Sequence, residues 1–229
     1  MRRRVTTLAI ATCACALPLA AGAAKPPKPP PSQNNPSLTI AANPATTTYR
    51  GATVISGRRR GKNHANQPVA LQANPFPFRG FKDVAFTRTD ANGAYRFTAR
   101  PRRHTRYRTV SPRPATIYDA VITSPEMLVH VRLHVGIRLS DSTPRRGQRV
   151  RFFGTVAPKH NGHRVYVQRR RRDGRWVTIA RARTRNMSGN RSRYSKRVRI
   201  FRTGAYRVRV RGHADHSTGT SRRRAIRVH

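Results

Sequence analysis

Acidic side chains are almost missing from this chain: seven Asp and Glu stand against 49 Lys and Arg in 229 residues. Carboxylate-pair chemistry needs two such groups within several ångströms. Asp83, Asp90, Asp119, Glu126, Asp141, Asp173 and Asp215 are scattered singly, so the sequence offers no such pair. Thiols are scarcer still. Cys13 and Cys15 both fall in the first 23 residues, and a chain cleaved after them has no disulfide, thiolate nucleophile or cysteine-based zinc site. Lysine supplies only six of the cations, and tryptophan occurs once, as Trp176. No segment carries the 3.6-residue apolar period of an amphipathic helix. A Ser/His/Asp motif, a phosphate-binding glycine loop and a calcium loop are all absent from the sequence.

What is present begins with an export signal. Arg2, Arg3 and Arg4 precede an apolar stretch from Val5 to Leu19, too short to span a bilayer, and Ala21-Gly22-Ala23 offers a small-residue cleavage site. Residues 1–23 are therefore expected to be a signal peptide, of Sec type or, with its paired arginines, of twin-arginine type. Residues 24–37 follow as a proline-rich stem (AKPPKPPPSQNNP through Pro36), expected to be an extended polyproline II spacer. No sorting motif or later transmembrane segment is visible, which points to a secreted or envelope-associated protein without a spanning anchor.

Beyond the stem the chain repeats itself. Tyr95 and Tyr107 are 12 residues apart, as are Tyr194 and Tyr206, and the second pair lies 99 positions after the first. Pro68-Val69-Ala70-Leu71-Gln72 is echoed 96 positions later by Arg164-Val165-Tyr166-Val167-Gln168. A period of this size matches a whole small domain rather than a solenoid unit. Apolar residues alternate with polar ones at 52–56, 69–71, 84–86, 95–97, 150–152, 165–167 and 206–210. Turn signals stand between them at Asn92-Gly93, Pro144 to Gly147, Asn161-Gly162 and Asp173-Gly174. The expectation is an all-β chain of two tandem antiparallel β-sandwiches, over 38–130 and 131–229, of about seven strands each. The strand-like run Met127 to Leu139 would close the first and open the second without a flexible linker.

Gly204-Ala205-Tyr206-Arg207-Val208 resembles the start of the sixth strand in immunoglobulin-like domains. Thr89-Asp90-Ala91-Asn92-Gly93-Ala94-Tyr95-Arg96-Phe97 is similar to the hairpin of carboxypeptidase-regulatory-like modules. With Phe153 to Pro158, Val165 to Arg169 and Gly174-Arg175-Trp176, the second copy resembles immunoglobulin-like repeats of exported actinobacterial proteins, and the likeness spans nearly all of 38–229. The resemblance implies that Tyr206, after Gly204, ties its strand to the preceding loop through its hydroxyl. Tyr107, after His104-Thr105-Arg106 rather than glycine, would take that place in the first copy. Such modules serve as spacers, adhesins and binding domains alike, so the likeness bears on fold more than on function.

The charge is the remaining clue. Residues 131–229 hold 29 Lys and Arg against three acids. Alternation along 206–211 sends Arg207, Arg209 and Arg211 to one outer face if Tyr206, Val208 and Val210 face the core. Tyr166 and Arg170 would lie beside them, Arg227 on a flank, and Arg169-Arg170-Arg171-Arg172 would form a basic loop tip. Arg149 and Arg151, with Arg197 and Arg199, would make a second row on the opposite sheet. Guanidinium groups bind phosphate, sulfate and carboxylate through paired hydrogen bonds. These residues are therefore the candidate polyanion-binding set, expected to be strongly salt-dependent and indifferent to nucleic-acid sequence. The H-x-x-H pairs His160/His163 and His213/His216, and the stripe His130/His134, read as surface histidines rather than ligands, so no metal or cofactor is expected. The sequence is read as a non-enzymatic, secreted structural or adhesive module touching anionic envelope polymers. The alternative is a dedicated extracellular nucleic-acid or polyanion binder.

Overall fold

A computed structural model describes residues 36–112 and 121–229. The expected leader, nearly all of the expected stem and the segment 113–120, with Asp119, lie outside the described residues. Every regular element described is a β-strand.

The first sandwich is built from β1 (Ser37–Leu38), β2 (Ala41–Asn43), β3 (Thr46–Thr48), β4 (Thr53–Arg60), β5 (Pro68–Pro75), β6 (Lys82–Arg88), β7 (Ala94–Ala99), β8 (Thr105–Pro112), β9 (Val121–Thr123) and β10 (Met127–Arg132). In one sheet β4 lies between β7 and the pair β1/β2; the other runs β3-β10-β8-β5-β6, with β9 also on β8. All pairings are antiparallel except β3 with β10, which is parallel. The second sandwich repeats the plan with β11 (His134–Val135), β12 (Arg138–Leu139), β13 (Arg149–Ala157), β14 (Arg164–Arg170), β15 (Trp176–Arg183), β16 (Arg185–Asn186), β17 (Ser192–Arg199), β18 (Gly204–Val210), β19 (Gly219–Thr220) and β20 (Arg224–Ile226). Here β11 and β12 pair β13, which pairs β17 and through it β16; opposite them lies β15-β14-β18, edged by β19 and β20. The turn glycines Gly93, Gly147, Gly162 and Gly174 all have positive φ, which is why the hairpins could be read from glycine positions.

Each sandwich has its own core: Ile55, Val69, Leu71, Phe97 and Val129 in the first, Val150, Phe152, Val165, Val167 and Val208 in the second. Each such side chain is worth roughly 1.5–3 kcal/mol of burial. Period-two alternation puts these residues on the inner faces and most of the strand arginines outside, with Arg59 a buried exception. Where Val129 closes the first core, Leu133 and Val135 enter the second, so the chain passes from β10 to β11 with only Leu133 between them.

A tyrosine clamp occurs in both copies. Tyr95 of β7 sits opposite Gly57 of β4, and its hydroxyl donates to the Thr39 carbonyl. Tyr194 of β17 sits opposite Gly154 of β13, and its hydroxyl donates to the Gly136 carbonyl at 2.6 Å. A Cβ at Gly57 would strike the Thr39 carbonyl and the Tyr95 ring; one at Gly154 would strike the Gly136 carbonyl. The bare glycine backbone lets each tyrosine reach across its sheet to the residue that follows β1 or β11.

Candidate anion-binding surfaces

On the β15-β14-β18 sheet, Tyr166 stands directly opposite Arg209, and Gln168 opposite Arg207. Arg207 is half-buried. Its Nε donates to Gln168 Oε1 at 2.9 Å, and its guanidinium carbon lies 4.1 Å from the Trp176 ring centre. Arg223 shares that ring at 5.9 Å. Burial first, then the charges of Arg209 and Arg223, pull the Arg207 guanidinium below its ordinary value, though it remains a cation. Arg207 is thus held in place by its neighbours, while Arg209 and Arg227 are exposed. Arg211 is exposed beyond the end of β18.

The expected basic loop needs correcting. Arg169 and Arg170 belong to strand β14, and Arg169 pairs with buried Tyr206, so alternation turns it toward the core side instead of outward. Only Arg171 and Arg172 occupy the turn. There Asp173 lies 2.9 Å from Arg175 and 3.8 Å from Arg171, and the Arg175 backbone N–H, then its side chain, hold Asp173 below its usual value. One carboxylate therefore offsets part of the charge at the tip. Nearby, the Tyr206 hydroxyl donates to the Arg202 carbonyl at 2.5 Å. Gly204 has φ of +150°, a backbone conformation that L side chains rarely adopt. Tyr107 is buried on β8.

The densest charge lies elsewhere. On β13 and β17, Arg149 faces Arg199 and Arg151 faces Arg197 directly across the ladder, and Arg193 faces Arg185. Like charges in such positions are destabilising, and an anion bound between them removes the penalty. Around the corner, a groove of ≈ 830 Å³ between the edges of β15 and β17 is lined by Arg181, Arg183, Arg185, Arg193, Lys196 and Arg197, without a carboxylate. Of these only Arg197 stood out in the sequence. The others come together because β16 is just two residues long and leaves the side of the sandwich open. Among the described residues, the only Lys or Arg groups within 4.0 Å of a carboxylate are Arg106, Arg171 and Arg175.

The first copy keeps the scaffold of the Arg207 site and adds a carboxylate beside it. Arg108 donates to Gln72 at 2.8 Å and lies 4.2 Å from the Phe81 ring centre, while Gln72 also donates to Asp83. Both copies have a bulge after the preceding residue, at Leu71/Gln72 and Val167/Gln168. The bulge turns the glutamine under the arginine and leaves Val84 or Ile179 as the extra residue on the edge strand.

Most acids are engaged locally. Asp90 accepts from the Asn92 and Ala94 backbones, and Asp141 from Thr143 and Gln148. The histidines depart from the sequence reading. His160 and His216 are buried, and their rings stand 5.2 Å apart, because the loops before β14 and β19 fold against one another. The two H-x-x-H pairs form one cluster, with His163 and His213 rings 5.8 Å apart and His160 and His163 4.8 Å apart.

No protein-family model and no curated protein matches the chain. Among solved structures it is similar to the crystal structure of a tetra-tandem repeat in the extending region of a large adhesion protein, at 16% identity and a TM-score of 0.39. That match covers 84% of this chain, which spans about half (49%) of the solved one.

Proposed function

We propose that the protein is an exported, non-catalytic pair of immunoglobulin-like sandwiches that acts as a structural or adhesive module at the cell envelope, and that its second sandwich holds anionic polymers. The observation that carries this reading is the carboxylate-free groove between β15 and β17, together with the opposed arginines of β13 and β17. Repulsion among these groups is relieved when phosphate, sulfate or carboxylate groups lie between them. Repeating anions on a flexible polymer suit a groove and a ladder better than one small ligand does. The strand order shared by the two halves and the Tyr206 hydroxyl bond to Arg202 support the immunoglobulin-like reading. Trp176 is capped by Arg207 and Arg223, which leaves its face poorly placed to stack a nucleic-acid base and favours a backbone-type polyanion over a dedicated nucleic-acid binder.

Retention on isolated cell walls and on immobilised polyphosphate, eluted by graded salt, tests the reading. Replacing Arg181, Arg183, Arg193 and Arg197 together with Ser should move elution to much lower salt, because log affinity falls with log salt in proportion to the anions contacted. Arg209 and Arg227 to Ser should move it less. Unchanged elution of the groove variant, or retention that survives 1 M salt, would reject the electrostatic part.

A further inference from the structure

Three ligand-bearing side chains converge where the two sandwiches meet. His160 lies in the loop after β13; Asp215 and His216 lie in the loop before β19. One ligating atom from each falls within 4.8 Å of the other two. His216 Nε2 is 2.7 Å from the Arg102 carbonyl of the first sandwich, and His160 Nδ1 is 3.1 Å from the Pro158 carbonyl. A carbonyl can only accept, so both of these ring nitrogens carry the proton. In the neutral rings the other nitrogens, His216 Nδ1 and His160 Nε2, then bear lone pairs. Both face one carboxylate: Nδ1 is 3.1 Å from Asp215 Oδ2, and Nε2 is 3.6 Å from Oδ1.

Three acceptors thus point at each other. His216 is only 2% exposed, and its Nδ1 has no hydrogen-bond partner. An unpaired buried acceptor beside a carboxylate is costly unless something positive lies between them. A proton would supply that charge, but a divalent cation satisfies all three atoms at once. The ligand edges of a tetrahedral zinc site are about 3.3 Å. The two imidazole nitrogens lie 3.1 and 3.6 Å from opposite oxygens of the one carboxylate, and the three ligating atoms lie within 4.8 Å of one another, so the trio closes on an ion by a small inward movement of the partly open Asp215. Backbone carbonyls that hold the far nitrogen of each ring are the usual outer support of metal-bound histidines. Asp215 is partly open to solvent, giving an entry path and room for water as a fourth ligand.

We infer that His160, Asp215 and His216 form a binding site for a borderline-soft divalent cation of the zinc class. Two imidazoles and one carboxylate select such an ion over Mg²⁺ or Ca²⁺, which prefer all-oxygen shells. The site would also be a clasp. His216 is tied to Arg102, and the His104 backbone N–H donates to the Asp215 carbonyl at 2.9 Å, so an ion here locks loops of both sandwiches together. The inference is independent of the anion-binding groove, which lies along the side of the second sandwich.

Titrating the purified full chain with Zn²⁺ at pH 7.5, in competition with a chromophoric chelator, tests it. One ion per chain should bind, with Mg²⁺ failing to compete. Asp215→Asn keeps the side-chain shape and should weaken binding at least 10-fold, as should His160→Gln, while His64→Gln on the exposed loop leaves it unchanged. Should either site variant misfold, Co²⁺ loaded into the unaltered chain provides a second reading, since three protein ligands and a water give an intense tetrahedral visible spectrum. Absence of stoichiometric Zn²⁺ uptake, a weak octahedral Co²⁺ spectrum, or equal affinity in folded Asp215→Asn would each overturn the site. The last result would mean that the trio is an imidazolium–carboxylate pair and that Zn²⁺ binds surface histidines.

Discussion

The two sandwiches share a scaffold and differ in what they expose and bury. Position 86 of the edge strand β6 is Phe86, 73% exposed; its counterpart on β15 is Arg181, since each faces the residue two before the conserved glutamine. Inside, the contrast reverses. Two residues beyond the clamp glycine, the first sandwich buries Arg59 at 1% exposure, while the second buries Val156. Arg59 donates to the carbonyls of Lys62 and Asn63, but its Nε and Nη2 lack partners, and burial pulls its guanidinium below the ordinary value. Conserved between the halves are the glycine–tyrosine clamp, the bulge, and the glutamine–arginine–aromatic stack. The halves share what fixes the backbone and differ at exposed positions and at one buried position beside the clamp.

The largest expected effect comes from filling the clamp. Gly57→Ala and Gly154→Ala should each cost about 3 kcal/mol, at the upper end of overpacking, because the obstacle is a backbone carbonyl that cannot rotate away. Trp176, the sole tryptophan, lies in the second sandwich, so its fluorescence should report Gly154→Ala in thermal melts and miss Gly57→Ala, which circular dichroism would still register. Coincident loss of both signals in the Gly57 variant would mean that the halves unfold as one unit.

Removing only the clamp hydroxyl is milder. Tyr95→Phe and Tyr194→Phe should each cost about 1–3 kcal/mol, as an orphaned carbonyl does. Tyr95 should cost more, because its hydroxyl also pairs with Thr109. Phenols add a pH dependence. Burial, opposed by the bond to Thr105, pushes Tyr107 up to about 12, and burial also raises Tyr194. A raised phenol favours the folded state fully below its unfolded value of about 10, and that contribution is lost as pH climbs through the folded value. Alkaline unfolding should therefore set in between pH 10 and about 12. Tyr194→Phe should flatten the alkaline loss of stability that Trp176 reports, from a lower starting stability, and Tyr107→Phe should leave that loss unchanged.

The smallest effect is expected at the buried arginine. Arg59→Met should be neutral or stabilising by about 1 kcal/mol, because a desolvated cation without a counter-ion gives way to an apolar chain of similar volume. A clear loss in chemical denaturation would show that its bonds to the 62–63 turn outweigh its burial.

Much of this fold was legible because alternation and glycine turns are local signals. Val69-Ala70-Leu71 and Val165-Tyr166-Val167 declare their strands, and Gly93 and Gly174 declare the turns. The cross-strand row of Arg149, Arg151, Arg197 and Arg199 follows from the same alternation. The groove was illegible, because it depends on β15 and β17 curling toward each other past a truncated β16, and nothing near Arg181 or Arg193 announces that. Arg169 was misplaced because a run of four arginines looks like a loop, whereas β14 extends through Arg170. The His160–Asp215–His216 trio was hidden for a deeper reason: His160 and His216 are 56 positions apart, and only tertiary docking of two loops makes neighbours of them.

The parallel pairing of β3 with β10 has a mechanical consequence. Tension applied between the beginning of the first sandwich and its exit into β11 pulls these two strands lengthwise past each other, so the rungs from Thr46 to Thr48 must rupture together rather than unzip singly. In the second sandwich the opening strands β11 and β12 run antiparallel to β13, and only the single bridge between Arg132 and Ser217 is loaded in the same sense. A chain stretched along its length would therefore yield first in its second, arginine-rich sandwich, while the first holds.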